Sequence, residues 1–270
     1  MTAVTKNTRC WGILQKWSRY EMDQVCFMGS DDTHRCFQLL YRSDDSYKID
    51  YTGMKAFIFD LNGTMVDDMD YHTRGWLHVV NDKLGGCFTY EQVKKEMYGK
   101  NSEVLKRLFG EKYFTAFEIE HLSAAKEERY RRDFRPILQL LSGLEEFLQT
   151  AKAYGISLAI ASAACTANID FVLDGLGIRP YFDVIVSADD VMRSKPHPET
   201  FDRAGALLGH RPSDCLVFED APAGVQAASA AGMACIVLTT THQPPEFRGC
   251  TNIKTFWKNY QTKDEDIFND

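Results

Sequence analysis

The stretch KAFIFDLNGTMVDDMDYHTRGW, residues 55–76, decides the fold. Its apolar run at 56–59 has the length and density of a strand buried on both faces. Asp60 stands at the strand's exit, and a Gly63-Thr64 turn follows. A carboxylate at the carboxyl end of a first α/β strand is placed to be a nucleophile or a metal ligand, because ligands of such sheets bind beyond the strand ends. Alone, Asp-x-Asn-Gly is also an ordinary turn. The rest of the chain has to decide between them.

Beyond Asp67 the periodicity turns helical. Helices are predicted over 71–84, ended by Gly85-Gly86; over 90–98, capped by Thr89; over 102–109, ended by Gly110; and over 116–132. In the last of these, Lys126-Glu127-Glu128-Arg129 reads as a solvated face. Past Pro136 strands and helices alternate. Strands are expected at 156–161, 182–187, 216–219 and 234–238, and helices at 143–154 (capped by Ser142), 167–176, 198–208 and 224–231. Repeated strand–helix units specify a parallel sheet with right-handed crossovers. The expected fold is therefore an α/β Rossmannoid core, residues 54–67 and 135–250, with a small helical cap, 68–134, inserted after the first core strand. Residues 1–53 hold no lasting period and read as an N-terminal extension, either a packed appendage or, in the favoured reading, a poorly ordered one. Residues 251–270 read as a C-terminal tail that covers a sheet edge and frays.

Composition narrows the function classes. A net charge of −7 argues against a general nucleic-acid binder, which depends on excess Lys and Arg. No apolar run has the length of a membrane span, and the first residues lack the pattern of a secretory signal. The eight cysteines show no CxxC spacing, which disfavours zinc or a disulfide framework. A reducing cytoplasmic location, a monomer, and neither nucleic-acid nor membrane partners are the expectations.

Three predicted strand ends leave polar residues in register: Asp60, Ser162, and the pair Glu219-Asp220. The loop after the third strand adds Lys195, in Ser-Lys-Pro-His-Pro-Glu. In a parallel sheet these ends share one edge, so their side chains converge. Three acidic groups can hold a hard divalent cation, and Mg²⁺ favours oxygen ligands. A carboxylate can attack phosphorus only if the phosphate's charge is offset. Lys195, the cation, the Ser162 or Thr64 hydroxyls and backbone amides after the first strand would supply that offset. Each residue alone has a structural explanation; four in order at successive strand ends make coincidence poor. His197 and His242 are set aside as ligands, because Mg²⁺ prefers oxygen.

The order Asp-x-x-Gly-Thr, Ser after the second strand, Lys-Pro-x-Pro, then Glu-Asp-x-x-x-Gly resembles the haloacid dehalogenase superfamily. Tyr71-His72, Arg74, Trp76, Ile160-Ala161-Ser162-Ala163 and the run from Glu219 to Ala227 resemble its β-phosphoglucomutase-like branch. The resemblance implies that Asp60 is a nucleophile forming an aspartyl-phosphate. It implies Mg²⁺ held by Asp60, the backbone carbonyl of Asn62 and Asp220, with Glu219 direct or one shell out. Thr64, Ser162 and Lys195 would bind phosphate, with Gly63 and Ala163 beside them, and His72 would support the acid/base residue. The implied activity is a Mg²⁺-dependent phosphatase of a small phosphorylated metabolite, with sugar phosphates foremost.

One position departs from that pattern. The family's phosphatases and mutases carry a second Asp where this chain has Asn62, and an amide neither donates nor takes a proton at neutral pH. Losing such a group typically costs ~10²–10⁴ in rate. His72, Asp67 or Asp68 could take over; the substrate could have a good leaving group, such as an acyl phosphate or phosphoanhydride; or the protein could be an impaired phosphoester binder. Deamidation at Asn62-Gly63 would restore the Asp. A β-phosphoglucomutase-type isomerase is the other alternative, but Lys100 stands where mutases place an Arg to grip a second phosphate, and Lys lacks the bidentate fork.

Overall fold

Strand β1 (Ala56–Phe59) is buried along its whole length. Its side chains alternate between two cores: Phe57 and Phe59 enter one, Ala56 and Ile58 the other. The computed structural model describes residues 53–262 and 265–268, so the readings made for residues 1–52 lie outside the described residues. β1 pairs in parallel with β2 (Ser157–Ala161) on one side and β4 (Cys215–Glu219) on the other. With β3 (Val184–Val186), β5 (Ala234–Leu238) and β6 (Ile253–Trp257), the order runs β3-β2-β1-β4-β5-β6. The chain leaves β1 in one direction and returns on its far side, which opens a crevice at the carboxyl ends of β1 and β4.

Helices cover both faces. α5 (Leu144–Ala153) and α6 (Thr166–Gly175) pack Phe147, Leu148 and Val172 on the Phe57/Phe59 side. There Phe59 stacks on Phe218 with centroids 4.6 Å apart, a geometry worth about 0.5–1.5 kcal/mol beyond area burial. α7 (Glu199–Leu208) and α8 (Pro222–Ala230) cover the other face with Phe201, Ala204 and Val225.

Between β1 and α5 lies the helical insertion. α1 (Met69–Leu77) continues as a π-helical segment, His78–Lys83, followed by α2 (Tyr90–Lys95), α3 (Asn101–Phe109) and α4 (Ala116–Phe134). Trp76, Val80, Val93 and Leu105 form a core of its own. Thr89 caps α2 in a reciprocal box with Gln92, as its sequence predicts.

Three expectations fail locally. Ser142 does not cap α5; Gly143, at φ 83°, stands at the cap, and the Ser142 carbonyl accepts the Tyr260 N–H. The segment expected to drape over a sheet edge is itself the edge strand, β6 (Ile253–Trp257), parallel to β5. Its Trp257 is buried while Lys254 and Phe256 face outward, the alternation of a strand covered on one face. Lys126 and Glu127 are not solvated: they are 2% and 7% exposed. They share α4's inward stripe with Leu122, Tyr130 and Phe134. Among the described residues no helix is long and apolar enough to cross a membrane.

Candidate active site

The parallel register sets Phe59 beside Ile160 and Phe218, so the residues after β1, β2 and β4 emerge side by side. Asp60 follows with its N–H on the Phe218 carbonyl, and Ser162 with its N–H on the Val186 carbonyl. Lys195 reaches into this edge, and its Nζ donates to Asp60 Oδ1 at 2.7 Å and to Glu219 Oε1 at 2.8 Å. Glu219 Oε2 accepts the backbone N–H groups of Asp220 and Ala221. Asp220 accepts the Thr64 hydroxyl at 3.3 Å and the Thr241 hydroxyl. All four charged groups are buried.

Three carboxylates against one ammonium leave this edge short of positive charge. Burial pushes Asp60 up to about 7; Lys195 counters that and Glu219 adds to it. Burial also raises Asp220 well above the carboxylate range, reinforced by Glu219 and Asp60. For Lys195, burial disfavours the ammonium, but the two carboxylates outweigh it and hold its pKa above the ordinary lysine range. A hard divalent cation would relieve the excess, and every donor here is oxygen. Among the described residues no group of three or more His, Cys, Asp or Glu side chains forms a ready cage. A cation at this edge would therefore combine Asp60 and Asp220 with a main-chain carbonyl. The turn after β1 can lie against Asp220 because Gly63 has no side chain: a Cβ there would sit 2.3 Å from Asp220 Oδ2.

A second polar cluster comes from the insertion. Asn62 Nδ2 donates to Asp68 Oδ2 at 2.7 Å and lies 3.0 Å from His72 Nε2. The other ring nitrogen of His72 faces Lys126 Nζ at 2.6 Å, and Lys126 also donates to Glu127 Oε1 at 2.8 Å. Glu127 further accepts Asn101 and Asn168, the latter from α6 of the core. Tyr130 stacks on the His72 ring at 3.7 Å and donates to Asp68. Burial alone would raise Glu127, but the Lys126 ammonium foremost, with His72 beside it and the hydrogen bonds it accepts, brings it down to about 2.

A cavity of about 990 Å³ separates the clusters, with Asp60, Ser162, Lys195 and Asp220 on the core side and His72 and Lys126 on the cap side. Asn62, Glu219 and Ala163 also line it. Gly63 and Thr64 sit deeper: both are buried, and the Thr64 hydroxyl is directed at Asp220. Lys100 is not brought to the Asp60 cluster. It borders a neighbouring cavity of about 440 Å³, and its Nζ donates to the Val191 carbonyl at 2.6 Å. The Asn62–Gly63 pair is engaged at both groups that cyclisation needs: the Gly63 N–H donates to the Val66 carbonyl and the Asn62 amide to Asp68.

Sequence reasoning missed Lys126, Glu127, Tyr130, Asn168 and Thr241 as members of these clusters. One signal for Lys126 existed. It falls at four-residue spacing between Leu122 and Tyr130–Phe134, inside the apolar stripe of α4. Asn168 and Thr241 had none.

A family model for haloacid dehalogenase-like hydrolases matches residues 54–232. The chain is 31% identical to β-phosphoglucomutase of Bacillus subtilis over 67% of this chain and 81% of that protein. It is 30% identical to fructose-1-phosphate phosphatase YqaB of Escherichia coli over 68% of this chain and 95% of that protein. Among solved structures, β-phosphoglucomutase of Clostridium difficile superposes with a TM-score of 0.69 at 26% identity, covering 79% of this chain and 95% of that one.

Proposed function

The chain belongs to the haloacid dehalogenase-like hydrolases, and on that premise we propose that it is a phosphatase of small phosphorylated metabolites, with sugar phosphates as the first esters to try. One observation carries this reading: Lys195 bridges Asp60 and Glu219 at 2.7 and 2.8 Å beneath a large cavity. Asp60 is the nucleophile. Its carboxylate attacks phosphorus in line with the leaving oxygen and becomes an aspartyl-phosphate, which water then hydrolyses. Lys195 orients Asp60 and offsets charge on the transferring group; Ser162 and the amides after β1 and β2 hold the phosphoryl oxygens. Asp60, Asp220 and the Asn62 carbonyl, with Glu219 behind, would hold Mg²⁺, which would supply further charge neutralisation. His72 and Lys126 wall the cap side of the cavity.

The isomerase alternative needs an anchor for a second phosphate. Lys100, its candidate, already spends its amine on the Val191 carbonyl, so hydrolysis is favoured. The test is phosphate release from a panel of phosphorylated metabolites with Mg²⁺, together with intact-mass detection of the phosphoenzyme. Wild type should form it and Asp60→Asn should not. Phosphate release that survives Asp60→Asn would sink the mechanism.

A further inference from the structure

Asn62 directs its amide nitrogen into the protein. Nδ2 donates to Asp68 Oδ2 at 2.7 Å, an orientation the carboxylate acceptor dictates, and lies 3.0 Å from His72 Nε2. Only the acceptor oxygen of the side chain is left for the cavity.

The neighbouring acids are held by other partners, except that Asp68 keeps one buried oxygen, Oδ1, without a partner and off the cavity lining. Glu219 holds Lys195 and two backbone N–H groups, and Asp220 holds the Thr64 and Thr241 hydroxyls. Asp68 is fully buried and also accepts the Tyr130 hydroxyl at 2.5 Å. The two ring nitrogens of His72 face Asn62 and Lys126. Asp67 lines the cavity only from an exposed position, and no hydrogen bond among the described residues ties it to Asp60, Asn62 or His72. Among the described residues, then, none of these side chains is poised beside the phosphoryl acceptor Asp60 to protonate a departing oxygen.

Resting on the phosphoenzyme reading above, we propose that Asn62 selects the substrate by its leaving group. The preferred donors are those whose oxygen departs as a stable anion, acyl phosphates and phosphoanhydrides, over phosphate esters of alkyl alcohols. In the first step an Asp60 oxygen forms a bond to phosphorus as the bond to the leaving oxygen breaks. The electron pair goes to that oxygen, and a carboxylate or phosphate leaves without taking a proton. In the second step water attacks the phosphorus of the aspartyl-phosphate, itself an acyl phosphate. Asp60 departs as a carboxylate, and both protons of the water end on the inorganic phosphate. Neither step needs a protein acid. An alkoxide leaving group does, and lacking one costs it typically ~10²–10⁴ in rate.

The test compares kcat/KM and phosphoenzyme formation for acetyl phosphate, p-nitrophenyl phosphate and glucose 6-phosphate, with Mg²⁺. Wild type is set beside Asn62→Asp and the double variant Asn62→Asp/Asp68→Asn. The double variant moves the carboxylate without changing net charge, so it avoids a new like-charge pair that could prevent folding. The expected result is a wild-type preference for acetyl phosphate over glucose 6-phosphate that falls by about 10²-fold or more in at least one variant. Equal wild-type rates on all three donors would overturn the leaving-group proposal and leave the phosphoenzyme reading standing. So would a preference unchanged in both folded variants, or one that grows on Asp67→Asn, which would make Asp67 the acid. A wild type that forms no phosphoenzyme with any donor would overturn the phosphoenzyme reading itself, and this proposal with it.

Discussion

Lys126 Nζ, on the last helix of the cap, lies 2.6 Å from Nδ1 of His72, on the first. Through that contact α4 fixes the ring that faces Asn62, and the Tyr130 ring stacked on His72 holds it from one side. A buried lysine in this position is costly unless paired, and Glu127 pairs it at 2.8 Å.

Lys126→Met removes one partner of that buried pair and leaves the Glu127 carboxylate without its nearest positive charge. The expected loss is about 3–5 kcal/mol of folding stability, read from urea midpoints. Lys126→Met/Glu127→Gln, which removes both charges, should recover a large part of it. If the double variant is no more stable than the single one, the pair is not what Lys126 contributes.

Glu127 makes stability depend on pH in a defined direction. Lys126 and His72 outweigh burial and bring its pKa from an ordinary 4.5 to about 2 in the folded protein. A depressed carboxylate stabilises above its unfolded pKa and loses that contribution as pH falls through the folded one. Wild type should therefore exceed Glu127→Gln in stability at pH 7. The gap should narrow progressively from about pH 4.5 towards pH 2. A gap independent of pH across this window would contradict the ion-pair account.

Gly224 is needed for space. A Cβ at this position would stand 1.8 Å from Glu219 Oε1, the oxygen that holds Lys195. Gly224→Ala should displace Glu219 and with it Lys195, lowering kcat by at least tenfold. Wild-type kinetics in Gly224→Ala would show that Glu219 can move without consequence.

Mg²⁺ should raise Tm, and chelation should reverse the rise. A ligand that binds only the folded state at a hundred times its Kd adds about 2.7 kcal/mol. Asp220→Asn removes one of the buried oxygens assigned to the cation and should abolish most of the shift. An undiminished Mg²⁺ shift in Asp220→Asn would place the cation elsewhere.

Much of this architecture was legible in the chain. The apolar run before Asp60, the glycine stops after the cap helices and the alternation past Pro136 all carry local signals, and each led to the right element. Such units imply a parallel sheet with right-handed crossovers, while the order of its strands came from the tertiary structure. β6 was missed because, of its residues before Phe256-Trp257, only Ile253 is apolar, as suits an edge strand. Lys126 and Glu127 were misplaced because charge within a helix suggests solvent, and only packing against α1 and α6 turns that face inward.

Asp60, Ser162, Lys195, Glu219 and Asp220 could be assigned to one edge before any coordinates, because a parallel sheet delivers its strand ends to the same side whatever else the chain does. What backs the partners of Asn62 could not. Asp68 and His72 follow it by only 6 and 10 residues, but Lys126 reaches His72 from α4, 54 residues beyond that histidine. Their meeting depends on how the cap folds back over the sheet, a non-local arrangement that no local pattern of residues encodes.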